Sequence, residues 1–264
     1  MSDASVREPF RLAIPILLIL FVPLMHLTTT GVTMFETGWV LVGLGGAVFA
    51  TLMIFSGVSV NAGGVRDPLA TAAWLLLIAY LVHQVEEHGI DLYGRVYYFI
   101  EYGNMQLAAR YGEEGPRLTD LAIYRINTLG IWVPFLLAIW AGRRLPWVGL
   151  AAAGIMLTNG LFHIGIAMTN GEYNPGLGTA LVLFLPISVA YFRNARRETD
   201  IGFLAVAGAI AFGVATHALL PMIISEAGVG TWTLRLSAIF GLLMFAPLVG
   251  NIFYRLFRRT EHKN

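Results

Sequence analysis

The segment His83-Gln84-Val85-Glu86-Glu87-His88 puts two imidazoles and two carboxylates within six residues. On a helix, His83 is four residues from Glu87 and three from Glu86, and such pairs share a face. Imidazole nitrogen with carboxylate oxygen is a donor set for Zn²⁺ or non-haem Fe, and ligand number and geometry decide between them. His88 stands five residues after His83, so the H-x-x-E-H spacing of an inverted zinc motif is absent. Either His88 points elsewhere or the helix ends at Gly89. Further ligands must come from other segments, and His163 and His217 are the natural donors. Asn159 is four residues before His163, on its face, and is placed to hydrogen-bond it from behind. The ligand candidates are therefore His83, Glu87, His88, His163 and His217. Whichever of Glu86 and Glu87 is not a ligand is the candidate general base.

These residues sit in a chain built for lipid. Of 264 residues, 57% are hydrophobic and 12% charged, with a mean hydropathy of +0.70; a soluble domain carries about 25% charged residues. The net charge of +1 argues against a nucleic-acid partner. With no cysteine, disulfides, thiolate ligands and cysteine nucleophiles are excluded. The first apolar run lacks a small-residue cleavage site and reads as a retained span. Apolar runs of spanning length predict an all-α polytopic bundle with eight spans: 10–28, 38–57, 69–88, 119–141, 146–168, 177–193, 201–221 and 233–254. The whole chain, 1–264, reads as a single transmembrane domain. The fourth span is the weakest, because it carries Arg125 and Asn127.

Basic residues set the orientation. With both termini cytoplasmic, 12 of the 17 Lys and Arg residues fall inside, while segments 29–37, 169–176 and 222–232 hold none. The exception is 89–118, with Arg95, Arg110 and Arg117 among tyrosines. That composition predicts an interfacial helix after the third span. Short loops suit a bacterial inner membrane.

In this topology His26, His83, His163 and His217 each lie two to five residues from the outer end of a helix, about 3–8 Å deep. Intramembrane ionisable residues are costly, so they are functional candidates. Other readings stand beside this one. HQVEEHG could be a wet helix end, His163 and His217 could be hydrogen-bonding core residues, and His26 beside Thr28, Thr29 and Thr30 reads as structural. Arg125 could neutralise the acids from outside the ligand set, bind a lipid head group, or be a buried counter-ion. Gly43-Leu44-Gly45-Gly46 reads as close helix packing, since no strand precedes it.

His83, Glu86 and Glu87 form H-x-x-E-E. Downstream stand His163 and a Y-x-P-G, Tyr173-Asn174-Pro175-Gly176. Together these make the chain similar to the HXXEE-domain family of bacterial membrane proteins over roughly residues 70–190. The resemblance implies an integral membrane protein with a metal site and names no substrate; His217 lies outside it. Physically, Asn-Pro-Gly is a tight turn between the fifth and sixth helices. Tyr173 is either a donor or proton carrier folded back over the site, or an interfacial anchor.

The expected function is a membrane-embedded metal-dependent enzyme acting on a lipid or other apolar molecule from the outer leaflet, by hydrolysis or acyl transfer, with Zn first and Fe second. The catalytic candidates are Glu86, Glu87 and Tyr173. Di-iron oxidation is the alternative chemistry, though it is usually histidine-richer and supplied with electrons from the cytoplasm. A proton-coupled transporter is a second class; no inverted repeat and no charge in the inner halves of the spans supports it. A structural subunit binding heme or chlorophyll is a third. A retinal Schiff base is excluded, since Lys263 in the tail is the sole lysine. The metal reading requires the imidazoles of His83, His163 and His217 within about 8 Å of one another, with a glutamate between them.

Overall fold

A computed structural model describes residues 3–27, 32, 35–57, 61–62, 65–229 and 245–261. Apart from turns and loops they are helical, with a two-residue antiparallel ladder, Asn61–Ala62 with Val65–Arg66, and one isolated bridge between Ile90 and Val96. Five helices are long and apolar enough to cross a membrane: α2 (Trp39–Ser56), α3 (Pro68–His88), α5 (Asp120–Ala141), α6 (Pro146–Asn170) and α7 (Leu177–Glu198). They coincide with the second to sixth expected spans, and they make this a membrane protein.

The remaining helices differ from expectation. In α1 (Asp3–Leu24) the described apolar stretch is Ala13–Leu24. The expected seventh span, 201–221, is the shorter α8 (Phe203–Ala218); after a break at Leu219 a further helix, α9 (Leu220–Val229), begins before Pro221 and runs where an outer loop was expected. Proline has no N–H to continue a helix ladder. Much of the expected eighth span, with Arg235, lies outside the described residues; α10 (Ala246–Glu261) follows it. Between α3 and α5 lies α4 (Tyr98–Tyr111), whose one buried residue is Tyr102.

The centre of the bundle is α3. It packs against α2, α4, α5, α6 and α7, and its buried residues run from Leu69 to His88 on every side. The same helix therefore carries apolar packing for most of its length and its carboxylates and imidazoles only in its last turns. The outer helices show the opposite pattern, with Leu41, Leu52 and Phe55 of α2 exposed, as lipid contact requires. Close backbone approach joins α6 to α8. A Cβ on Gly154 would strike the backbone of Ala209, and one on Gly213 would strike that of Gly154, the small-residue contact favoured between membrane helices. Gly43 and Gly46 of α2 face Trp132 and Leu81, so that glycine run is helix packing.

Two helices contain π-helical stretches, Ile126–Trp132 in α5 and Ala180–Phe184 in α7. Such widened turns are uncommon and gather at functional sites. Both of these adjoin the polar end of α3.

The opposite end of α3 is held by Asp67. It caps the helix, accepting from the amides of Leu69 at 2.9 Å and Ala70 at 3.2 Å. Arg143, in the α5–α6 turn, reaches its carboxylate at 2.9 Å and Glu198 at the end of α7 at 2.8 Å. Three chain segments meet there. Burial works against ionisation of Asp67, but Arg143 and the two amides outweigh it and hold the carboxyl below its usual range. A depressed folded value stabilises the fold above the ordinary aspartate range, and the contribution fades as pH falls through the folded value. Arg143 is 40% exposed, so solvent screens the ion pair and the cap carries most of the effect. Asp67→Ala should cost about 1–2 kcal/mol, read as a lower midpoint of thermal unfolding in detergent. That deficit should narrow as the pH is taken into the acid range.

Candidate metal centre

Of the four acidic and imidazole groups between His83 and His88, Glu86 is the most heavily hydrogen-bonded. It accepts from the Tyr173 hydroxyl at 2.8 Å, the Gly178 amide at 3.0 Å, the Thr179 amide at 2.6 Å and the Thr179 hydroxyl at 2.5 Å. Both oxygens are committed, so Glu86 ties the end of α3 to the turn that opens α7. It is not a free general base, as the sequence allowed. Tyr173 is placed likewise: its hydroxyl donates to Glu86 and accepts from the Leu92 amide at 3.2 Å. Burial pushes that hydroxyl well above its usual range; the Leu92 amide opposes this, and the Glu86 carboxylate adds to it. Tyr173 is therefore a donor that positions Glu86.

The proton on Thr179 Oγ1 goes to Glu86, so the same oxygen must accept from His83 Nδ1, 2.8 Å away. His83 therefore carries its hydrogen on Nδ1, and Nε2 is bare. Nε2 is buried and has no hydrogen-bond partner.

The same logic applies to His163. Asn174 Nδ2 donates to the His163 carbonyl at 2.9 Å, which turns Asn174 Oδ1 toward His163 Nδ1 at 2.6 Å. That nitrogen must donate, so in a neutral ring Nε2 is the bare nitrogen here too. Asn174 fills the supporting place expected of Asn159. Asn159 instead lies 3.5 Å from the Tyr80 hydroxyl, with its other amide atom buried and unpartnered.

Glu87 stands between the two bare nitrogens. Its Oε2 is 3.4 Å from His83 Nε2, and its Oε1 is 3.3 Å from His163 Nε2. His83, Glu87 and His163 each offer one atom within 4.8 Å of the others, and all three side chains are buried. Lone pairs facing a carboxylate in a dry interior repel unless a cation lies between them. Two imidazoles and one glutamate, with an open fourth position, are a ligand set of catalytic zinc. The donors thus fit a divalent metal. Their Nδ1 partners supply the outer hydrogen bonds that set ring orientation at metal sites.

Gly176 completes the enclosure. Its φ is +92°, and a Cβ there would lie 2.6 Å from His83 Cε1 and 2.9 Å from His163 Cε1. The Y-x-P-G turn thus contributes through Tyr173 to Glu86, Asn174 to His163, and Gly176 to the space between the rings.

The other expected residues lie around this group. His88 Nε2 is 2.9 Å from Glu87 Oε2, the oxygen that also faces His83, but His88 is not in the three-residue group. It is reached by a chain of amides. The Trp132 indole, a donor only, bonds Gln84 Oε1 at 2.8 Å; Gln84 Nε2 bonds Asn127 Oδ1 at 2.8 Å; Asn127 Nδ2 then faces His88 Nε2 at 3.2 Å. His217 is not in the three-residue group either. Its Nδ1 donates to the Gly213 carbonyl at 2.8 Å, and it lines a cavity of about 100 Å³ together with Glu87, His88, Asn159 and apolar residues of α5, α6 and α9. His26 bonds Thr128 at 2.8 Å and stacks on Tyr124, a structural role. Arg125, at the start of α5, lies where its charge acts on His26 and Tyr124, not among the ligands.

Asn174, Thr179, Gln84 and Asn127 are the residues the sequence did not assign. Asn174 is the variable position of the Y-x-P-G, and Thr179 follows that turn by three residues. Asn127 was visible as a polar residue inside an apolar span.

Gly176→Ala should lower bound metal at least about tenfold while the protein still inserts and purifies. Asn174→Leu should weaken metal affinity about 10- to 100-fold. Metal titration of the purified variants checks both.

No curated protein and no solved structure matches the chain. Residues 74–191 match the model of a family described as a protein of unknown function with HXXEE motif. This stretch, from Trp74 to Tyr191, holds the histidine pair, Glu86, Glu87 and the turn that braces them, so the match to the HXXEE family falls on the residues of the site.

Proposed function

We propose that this protein is a membrane-embedded metalloenzyme that hydrolyses, or transfers an acyl group from, a lipid or similar apolar substrate. The observation that carries the reading is the pair of bare imidazole nitrogens, His83 Nε2 and His163 Nε2, facing the Glu87 carboxylate from 3.4 and 3.3 Å. Zinc bound there would supply Lewis-acid polarisation of a substrate carbonyl. Glu87 connects the group to the cavity that it lines with His88 and His217. Ile131, Ile155, Leu220 and Ile223 also line it, which suits an apolar chain. His88 is the group that moves a proton, at Nε2, since it touches Glu87 and lines the cavity. Glu86, Thr179 and Asn174 hold the imidazoles in orientation and take no part in the chemistry.

The reading includes the topology: eight spans, both termini cytoplasmic, α4 lying in the interface, and the site near the outer face of a bacterial inner membrane. The excess of Arg at the ends away from His83 supports it.

An iron site performing oxidation is the second chemistry that this donor set allows. Elemental mass spectrometry of gently purified protein beside a His83→Ala variant tests the reading. Near-stoichiometric zinc, lost in the variant, is the expected result. Iron lost in the variant would replace hydrolysis with oxidation. Equal, near-zero metal in both, with zinc titration failing to load the wild type, would show that protons alone hold the cluster together.

A further inference from the structure

A second cavity, of about 310 Å³, opens beside the first. His88, Phe99 and Ile123 line both. Its deep wall is aromatic. Trp39 is 4% exposed, with its ring 5.3 Å from His88, and Phe99 packs edge-on against the same imidazole at 4.6 Å. Its lining also includes two carboxylates, Glu36 from the turn before α2 and the largely exposed Asp120 from the first turn of α5, with the exposed Tyr97. Among the described residues, no lysine or arginine lines it.

Tyr97 carries a further signal. It is the one non-glycine residue with positive φ among the described residues, at 55°. Its amide is anchored to the Gly89 carbonyl at 2.9 Å. That conformation is disfavoured for a side chain as large as tyrosine and persists only where the surroundings hold it.

Aromatic faces attract an organic cation, and carboxylates add long-range attraction. A small metal ion needs several oxygen ligands at about 2.0–2.6 Å, which rings cannot supply. A primary ammonium needs acceptors for three N–H groups, which Glu36 and Asp120 meet only in part, and the Trp39, Phe99, Val40 and Ile123 side chains of the wall offer none. A methylated ammonium asks only for negative potential and apolar contact.

We propose that the outer cavity binds a quaternary ammonium group, the choline end of a lipid whose apolar part enters the inner cavity beside Glu87. The inference rests on the proposed enzyme for its second half. It names the substrate's head group, and the shared wall at His88 places the linking region of such a lipid next to the metal ligands.

The test uses the full-length protein in a maltoside detergent, with choline titrated by calorimetry or ligand-observed NMR. 3,3-Dimethyl-1-butanol, the uncharged isostere, is the control. Choline should bind saturably and the isostere at least about tenfold more weakly. Glu36→Gln with Asp120→Asn should weaken choline at least about tenfold, and Tyr97→Gly, which also relieves the backbone, should weaken it severalfold. Metal content should be unchanged in both variants. Equal binding of the isostere, or choline binding unchanged in the double variant, would overturn the proposal. A water-soluble short-chain phosphatidylcholine should displace choline; if it does not, the lipid half of the proposal is wrong. Choline binding that survives in His163→Ala would separate this site from the metal reading, and a metal-loaded protein that ignores choline would sink this site alone.

Discussion

Two imidazole nitrogens without protons point at one carboxylate in a dry membrane interior, and much of the polar architecture exists to keep them there. Left to itself, a histidine can place its hydrogen on either nitrogen. Here the choice is forced from outside. Glu86 takes the Thr179 hydroxyl hydrogen, so Thr179 must accept from His83. The His163 carbonyl takes one Asn174 amide hydrogen, so Asn174 must accept from the His163 ring. Each bond is ordinary alone. In series they leave, for neutral rings, two imidazole nitrogens and a carboxylate that a metal ion would satisfy.

This accounts for the unequal fates of the two adjacent glutamates. Glu86 and Glu87 differ by one helical step of about 100°, since an α-helix has 3.6 residues per turn. That step turns Glu86 toward the start of α7, where amides and hydroxyls saturate it, and Glu87 toward α6, where His163 meets it. One carboxylate fastens helices together, and the other remains available for chemistry. The π-helical stretches in α5 and α7 belong to the same arrangement. Asn127 and Trp132 lie in the first; Phe184, whose ring is 4.3 Å from that of His83, lies in the second. Each stretch brings to the polar end of α3 side chains that support its histidines.

The two cavities give the site a direction. One is apolar and reaches inward among α5, α6 and α9; the other is aromatic with carboxylates in its lining and lies beside the turn before α2. His88 stands between them and touches Glu87. An amphiphile laid across this boundary would have its polar end and its chain in different surroundings, with the bond between them beside the metal ligands. At the far end of α3, Asp67 and Arg143 join three chain segments, as Glu86 joins α3 to the start of α7 at the polar end.

By itself, the sequence determined what depends on composition and on local spacing. Apolar runs of spanning length with 12% charge admit only a helical membrane protein, and α2, α3, α5, α6 and α7 lie where those runs stand. The H-x-x-E-E spacing put His83 and Glu87 on one face, and the downstream His163 was legible as their partner because an imidazole at matching depth is costly without a use. Tertiary structure decided the rest, because the deciding contacts join residues far apart in the chain. Asn174 supports His163 and Asn159 does not, since the Y-x-P-G turn folds back over the helix end. His217 lines the cavity without joining His83, Glu87 and His163, and the break at Leu219 divides the apolar run that carries it. Equal depth is a property of the sequence along one axis; which way a side chain turns about that axis is set by packing.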